Sequence, residues 1–210
     1  MSRTHRGLLL GATLTLAACA QVPESPQSAL ALPAALAGKA VVLQPDDPDY
    51  GRAVVAQAVQ PAGAGGISGA VVVKLTHDVP AYRLWSGPAA VNAQGQTNRI
   101  GQWWSYDAPA GTREGYRVSY EICNSWNTLT WVATCTLKVG AVVAIGPGQS
   151  VSAVTCGSDG ESYPANPVQW QTFVSKAWSR PSELSCPDAA KDYENDPGDI
   201  ARPAKVGPAS

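Results

Sequence analysis

Five cysteines, at positions 19, 123, 135, 156 and 186, constrain this 210-residue chain more than any other residue type. Four lie in the second half, and Cys19 stands alone far upstream. Its surroundings are unlike the rest of the sequence. Arg3 and Arg6 give a short positive start, and Leu8 to Leu16 is an apolar run interrupted only by Gly11, Ala12, Thr13 and Thr15. At roughly ten residues the run is too short to span ~30 Å of hydrocarbon as a permanent helix. It has the length of a secretory signal core, which is removed on export.

The residues that close the leader are Leu16-Ala17-Ala18-Cys19. An aliphatic residue, two small residues and a cysteine in this order resemble the lipobox of bacterial lipoproteins. The resemblance implies that residues 1–18 are cleaved off and that the Cys19 thiol carries lipid. Such proteins carry at least two acyl chains, and two anchor a protein stably where one does not. The implied location is the cell envelope, with the membrane as first partner. Ala20 follows the cysteine where an aspartate would resemble an inner-membrane retention signal, so the outer membrane is favoured over the inner.

With Cys19 assigned to lipid, Cys123, Cys135, Cys156 and Cys186 form an even set. In an exported chain that predicts two disulfides. Three connectivities are open; sequence proximity favours Cys123–Cys135 with Cys156–Cys186. A metal site is not expected, because no two cysteines stand two to four apart and His77 is the only histidine beyond the leader. Asp46-Asp47-Pro48-Asp49 groups three carboxylates but lacks the alternating spacing of a calcium loop. Removing Arg3 and Arg6 from 15 basic residues leaves 13 against 16 acidic ones, a balance of −3. That offers no electrostatic footprint for nucleic acid.

The chain then divides by composition. Residues 19–40 are rich in Ala and Pro, and Pro23, Pro26 and Pro33 prevent a continuous helix, so they read as a lipidated, disordered tether. Residues 41–69 read as a spacer ending in a glycine-rich break. The folded domain is expected over 70–187, and residues 188–210 read as a flexible tail. Within the domain, Ala70 to Leu75, Ala81 to Trp85, Ala141 to Ile145 and Val168 to Val174 are strand candidates. Leu129 to Leu137 alternates apolar residues with threonines, as a half-buried strand does. Residues 112–122 alternate too, but Thr112-Arg113-Glu114 looks like a helix entry and favours a helix. The expected fold is α+β, mainly β: a single disulfide-containing domain behind the tether.

No nucleophile elbow, P-loop or dinucleotide glycine pattern is present. His77, alone, reads as structural. One series of short segments carries chemistry: Tyr82-Arg83-Leu84-Trp85, then Trp103-Trp104-Ser105, then Gln169-Trp170-Gln171-Thr172 on a late strand. This order resembles the ADP-ribosyltransferase and NAD-glycohydrolase toxins, over about ninety residues. The resemblance implies that Arg83 binds cofactor phosphate, that Trp104 and Ser105 frame a nicotinamide pocket, and that Gln169 or Gln171 takes the late-strand catalytic position. NAD would be the substrate, and no bound cofactor is implied. Glutamine stands where a transferase carries glutamate, which favours glycohydrolysis over transfer. The same residues also read structurally, with tryptophans anchoring a β-rich core and Arg83, Arg99, Arg113 and Arg117 solvated. Two functions follow. One is a lipid-anchored envelope protein whose domain binds an envelope protein or glycan, or serves as structure. The other is an NAD glycohydrolase-like enzyme. The first predicts no convergent polar pocket, and the second predicts one cleft shared by Arg83, Trp104, Ser105 and the glutamines.

Overall fold

Continuous apolar runs and alternating runs end in different sheets. In the computed structural model, which describes residues 32–157 and 161–194, the chain order is β1 (Ala40–Val42), α1 (Val55–Ala58), β2 (Val71–Leu75), β3 (Val79–Trp85), β4 (Trp103–Trp104), α2 (Arg113–Ser119), β5 (Trp131–Leu137), β6 (Val142–Pro147), α3 (Ala153–Cys156), β7 (Trp170–Phe173), β8 (Leu184–Ser185) and β9 (Tyr193–Glu194). One sheet has the order β1-β2-β6-β7-β4; the other has β3-β5-β8, with β9 also on β5. All the strand pairs are antiparallel. The fold is mainly β with short helices, one domain with two disulfides. Among the described residues no helix is long and apolar enough to cross a membrane.

The five-stranded sheet is covered on both faces. Val73, Val143 and Ile145 face a core shared with Val79, Ala81 and Leu137 of the other sheet. Val72, Val142, Ala144 and Phe173 face a second core. Burial on both faces is why β6 reads as an unbroken apolar run. Strand β5 has one polar face: Ala133, Cys135 and Leu137 are buried while Thr134 is exposed. Its alternation is therefore visible in the sequence.

Three expectations are corrected here. The second core needs a cover, and residues 41–69 supply it. Leu43, Ala53, Ala58 and Ile67 are buried there, and β1 pairs with β2. The supposed spacer is thus part of the fold, as is Leu36 within the supposed tether, which is fully buried. Within the acidic turn, Asp49 binds Lys74 and Arg52 and Asp47 caps the Asp49 N–H, so these carboxylates serve local structure. The tail also begins later than residue 188. Arg99 Nε donates to Asp192 Oδ2 at 2.5 Å, and β9 pairs with β5.

The disulfides are Cys123–Cys156 and Cys135–Cys186, not the sequence-near pairing. Strand register explains the second. Thr136 pairs with Ser185, which places Cys186 opposite Cys135, with Cα atoms 4.3 Å apart. The first joins the chain after α2 to the last residue of α3. The leader, Cys19 and residues 20–31 lie outside the described residues, as do residues beyond 194.

Candidate functional site

The two sheets meet where β3 and the end of β4 lie side by side. The Tyr82 N–H donates to the Ser105 carbonyl at 2.8 Å, and the Ser105 N–H returns the bond at 2.9 Å. Pro80 is tolerated in β3 because that strand is the edge of its own sheet. Helix α2 lies beside this bridge, with the Tyr116 hydroxyl 3.5 Å from Ser105 Oγ. Thr112 accepts from the Gly115 N–H as its N-cap, so the helix starts where its sequence predicts. Four residues apart, Tyr116 of α2 and Tyr120 at its C-cap pack with tilted rings, centroids 4.4 Å apart. A cavity of about 160 Å³ remains between this helix end and the strands.

Arg83 enters the cavity wall from β3. Its guanidinium donates from Nε to the Asn98 carbonyl at 3.1 Å and from Nη1 to the Trp103 carbonyl at 2.9 Å. It lies against Gly101, where a Cβ would sit 2.4 Å from Cζ, so any side chain there would displace the guanidinium. No carboxylate pairs with it among the described residues. Burial pulls its pKa down to about 10, which leaves it charged at neutral pH. It is therefore not the solvated residue of an alternating strand. Arg117 is likewise buried, and Arg99 is held by Asp192.

Opposite stands Glu121, two residues past α2, with a left-handed φ of 48°. It is 1% exposed. Its Oε2 accepts from Gln171 Nε2 at 3.1 Å, while Oε1 has no partner among the described residues. Gly148 backs the carboxyl so closely that a Cβ there would lie 2.0 Å from Oε2. Burial raises the Glu121 pKa to about 8, against the weaker pull of the Asn166 backbone and Gln171 side chain. At neutral pH the carboxyl is mainly protonated, so it can donate as well as accept.

Four of the five residues singled out in the sequence line this one cavity: Arg83, Trp104, Ser105 and Gln171. Gln169 does not. Its Nε2 donates to the Tyr120 hydroxyl at 2.8 Å and to Asp107 Oδ2 at 3.0 Å, behind the wall. The Ser105 Oγ lies 3.2 Å from the Tyr82 carbonyl and 3.1 Å from that of Asp107, so its proton is engaged. Trp104 is buried with Nε1 on the Gly101 carbonyl. Trp103 faces the other core, with its ring centroid 4.9 Å from that of Phe173. His77 is in the turn before β3, outside the site.

Sequence reasoning missed Glu121, the two tyrosines, Trp126 and Asn127, all of which also line the cavity. One signal was available: Glu121 is the only charged residue in the run from Val118 to Cys123, directly after the helix. No protein-family model, curated protein or solved structure matches this chain.

Proposed function

We propose that this chain is a lipid-anchored protein of the bacterial cell envelope whose domain binds a ligand by taking one ring of it into the cavity under α2. The address rests on Leu16-Ala17-Ala18-Cys19 and on Ala20, which favours the outer membrane. The binding reading rests on one observation: Trp104, Tyr116, Tyr120 and Trp126 line one cavity together with Arg83 and Glu121, which do not pair with each other. A volume of about 160 Å³ is close to that of an engineered cavity of ~150 Å³ that holds one benzene. The remainder of an envelope glycan or protein would lie outside, against the half-exposed Trp126. Two measurements test this. Growing cells fed a labelled fatty acid should label the wild type and not Cys19→Ser. The isolated domain should bind a small ring compound such as toluene, and lose that binding when the cavity is filled by Ser105→Phe. An unlabelled wild type overturns the anchor, and a cavity that takes no ring overturns the binding site.

A second reading, NAD glycohydrolysis, is favoured by the convergence of Arg83, Trp104, Ser105 and Gln171 on one cavity. Only the nicotinamide end would enter, and the diphosphate would reach toward the Arg83 side of the mouth. Water would add at the ribose C1′, nicotinamide would leave with the electrons of the broken C–N bond, and one proton would be released. Incubating the domain with NAD and measuring free nicotinamide separates the readings. Turnover that Gln171→Ala abolishes supports the enzyme, and no turnover leaves the binding protein.

A further inference from the structure

We propose that the ring this cavity takes carries one carboxylate, which the Arg83 guanidinium holds at the cavity wall. The inference rests on the ring-binding reading above and names its ligand class.

Two of the three guanidinium nitrogens of Arg83 are already used. Nε donates to the Asn98 carbonyl and Nη1 to the Trp103 carbonyl, while Nη2 donates to nothing among the described residues. Unlike Glu121, Arg83 keeps part of its surface accessible. Two neighbours put its head at the cavity. Trp103, whose carbonyl it holds, belongs to the lining. The Tyr116 hydroxyl, also of the lining, is near enough that each group favours the other's charged form. On one side the guanidinium rests on Gly101, where an added Cβ would crowd Cζ and both Nη atoms. The head is thus oriented before a ligand arrives, which lowers the cost of binding one.

Charge sets the class of ligand. Arg83 is charged at neutral pH, is drawn out of water by burial, and has no carboxylate partner among the described residues. Glu121 lines the same cavity but is mainly protonated there, and burial, Asn166 and Gln171 set its ionisation rather than Arg83. An anion at the arginine therefore meets no opposing charge. One carboxylate supplies the missing counter-charge through charge-assisted hydrogen bonds, which are stronger than neutral ones. A cationic ring would be repelled, and a neutral ring would leave the arginine uncompensated. A phosphate dianion would bring more charge than one guanidinium offsets, where excess charge is costly. The ring itself packs on Trp104, Tyr116, Tyr120 and Trp126.

A ring carboxylate could be a free aromatic acid or a uronic acid residue of an envelope glycan. The test titrates the chain from residue 19 onward, with Cys19→Ser to keep it free of lipid, at about pH 7, where such acids are ionised. The ligands are benzoate, its neutral isostere benzamide, the cation benzylammonium, phenyl phosphate, and toluene as the bare ring. Methyl β-D-glucuronide and methyl β-D-glucoside repeat the charged and neutral arms on a sugar ring. One of the two acids should bind at least about tenfold tighter than its neutral partner, the gain of one hydrogen bond to a charged group, and toluene should displace it. Benzylammonium should bind most weakly. Arg83→Met should bring the acid down to the affinity of its neutral partner. If that variant does not fold, because the Asn98 and Trp103 carbonyls lose their donor, the wild-type ranking decides alone. Preference for benzoate indicates an aromatic acid, and preference for the glucuronide a glycan. Toluene binding with no gain for either acid leaves the ring reading intact and overturns this inference, making Arg83 a tie between two loops. Acid binding that toluene does not displace, a preference that survives in folded Arg83→Met, or tighter binding of phenyl phosphate than of either acid also overturns it. If neither toluene nor an acid binds, the ring-binding reading fails and the inference falls with it.

Discussion

Two places in this domain bury arginine and acid, and they treat them in opposite ways. At the C-terminal latch, Arg99 meets Asp192 with Nε on Oδ2 at 2.5 Å and Nη2 on Oδ1 at 3.2 Å, beside the Cys135–Cys186 bridge that ties β8 to β5. Each charge there has its counter-charge. In the cavity, Arg83 holds only backbone carbonyls, and Glu121 holds only an amide. Here an arginine and an acid line the same cavity without pairing. An ion pair whose needs are met stabilises the fold and has nothing left to offer a ligand. An unpaired arginine and a carboxyl with a vacant oxygen lower stability and keep binding capacity. The latch therefore reads as structure and the cavity as a site.

The largest effects should come from opening the latch. Cys135→Ser removes a bridge that closes a separation of 51 residues. In the chain-entropy model such a loop contributes about 4 kcal/mol, so a urea titration should show a loss of that order. Asp192→Ala strands Arg99, which is 11% exposed at its side chain, and should cost about 3 kcal/mol. Hydrogen exchange should then rise first at β9 and in Asp188 to Asp192, while the amides around Glu121 stay protected. If exchange rises equally at both places, the latch and the cavity belong to one cooperative unit and the contrast drawn above fails.

How much of this was legible in the sequence follows the same division. The alternating strand β5, the buried run of β6 and the helix entry at Thr112 are local patterns, and each lies where it was read. Strand β6 runs past the apolar run that ends at Ile145, because Gly146 pairs with Gln171 and Pro147 with Trp170. The disulfide partners are not legible, because strand register, not chain distance, brings Cys135 to Cys186. Residues 41–69 were misread because their apolar residues are spaced to cover a sheet, with neither strand nor helix period. Four cavity residues were singled out, yet Glu121 was not. Its role comes from a left-handed turn after a short helix, which no periodicity announces.

Within the cavity, a smaller effect of opposite sign is expected. Glu121→Gln keeps the shape and removes the titration. The ordinary carboxyl value is 4.5, and burial raises it to about 8 in the folded chain. Between those values the unfolded chain has lost a proton that the folded chain keeps. Wild-type stability from this group is therefore intact below about pH 4.5 and declines as pH rises toward 8. The variant lacks that decline. It should match the wild type or be slightly less stable near pH 4, and be the more stable protein near pH 8. Denaturant midpoints for both proteins across that range give the difference, which isolates this carboxyl from other titrating groups. A difference independent of pH would mean that Glu121 is ionised throughout, and the cavity would then resemble the latch more closely than its geometry indicates.

The smallest effect tests whether the helix over the cavity is held independently of the latch. Thr112→Ala removes the side-chain oxygen that accepts from the Gly115 N–H at 3.0 Å, a cap worth about 1 kcal/mol. Helix α2 has only seven residues, so loss of one cap removes a large share of what fixes its start. Tyr116 rides on that helix and Tyr120 caps it, and Tyr120 also holds Gln169 and Gln171 through its hydroxyl and carbonyl. Loosening α2 should therefore weaken ring binding more than it lowers the global denaturant midpoint, and leave exchange at β8 and β9 unchanged. If binding is unaffected while the midpoint falls, the helix is a lid for the core, and the strands alone make the site.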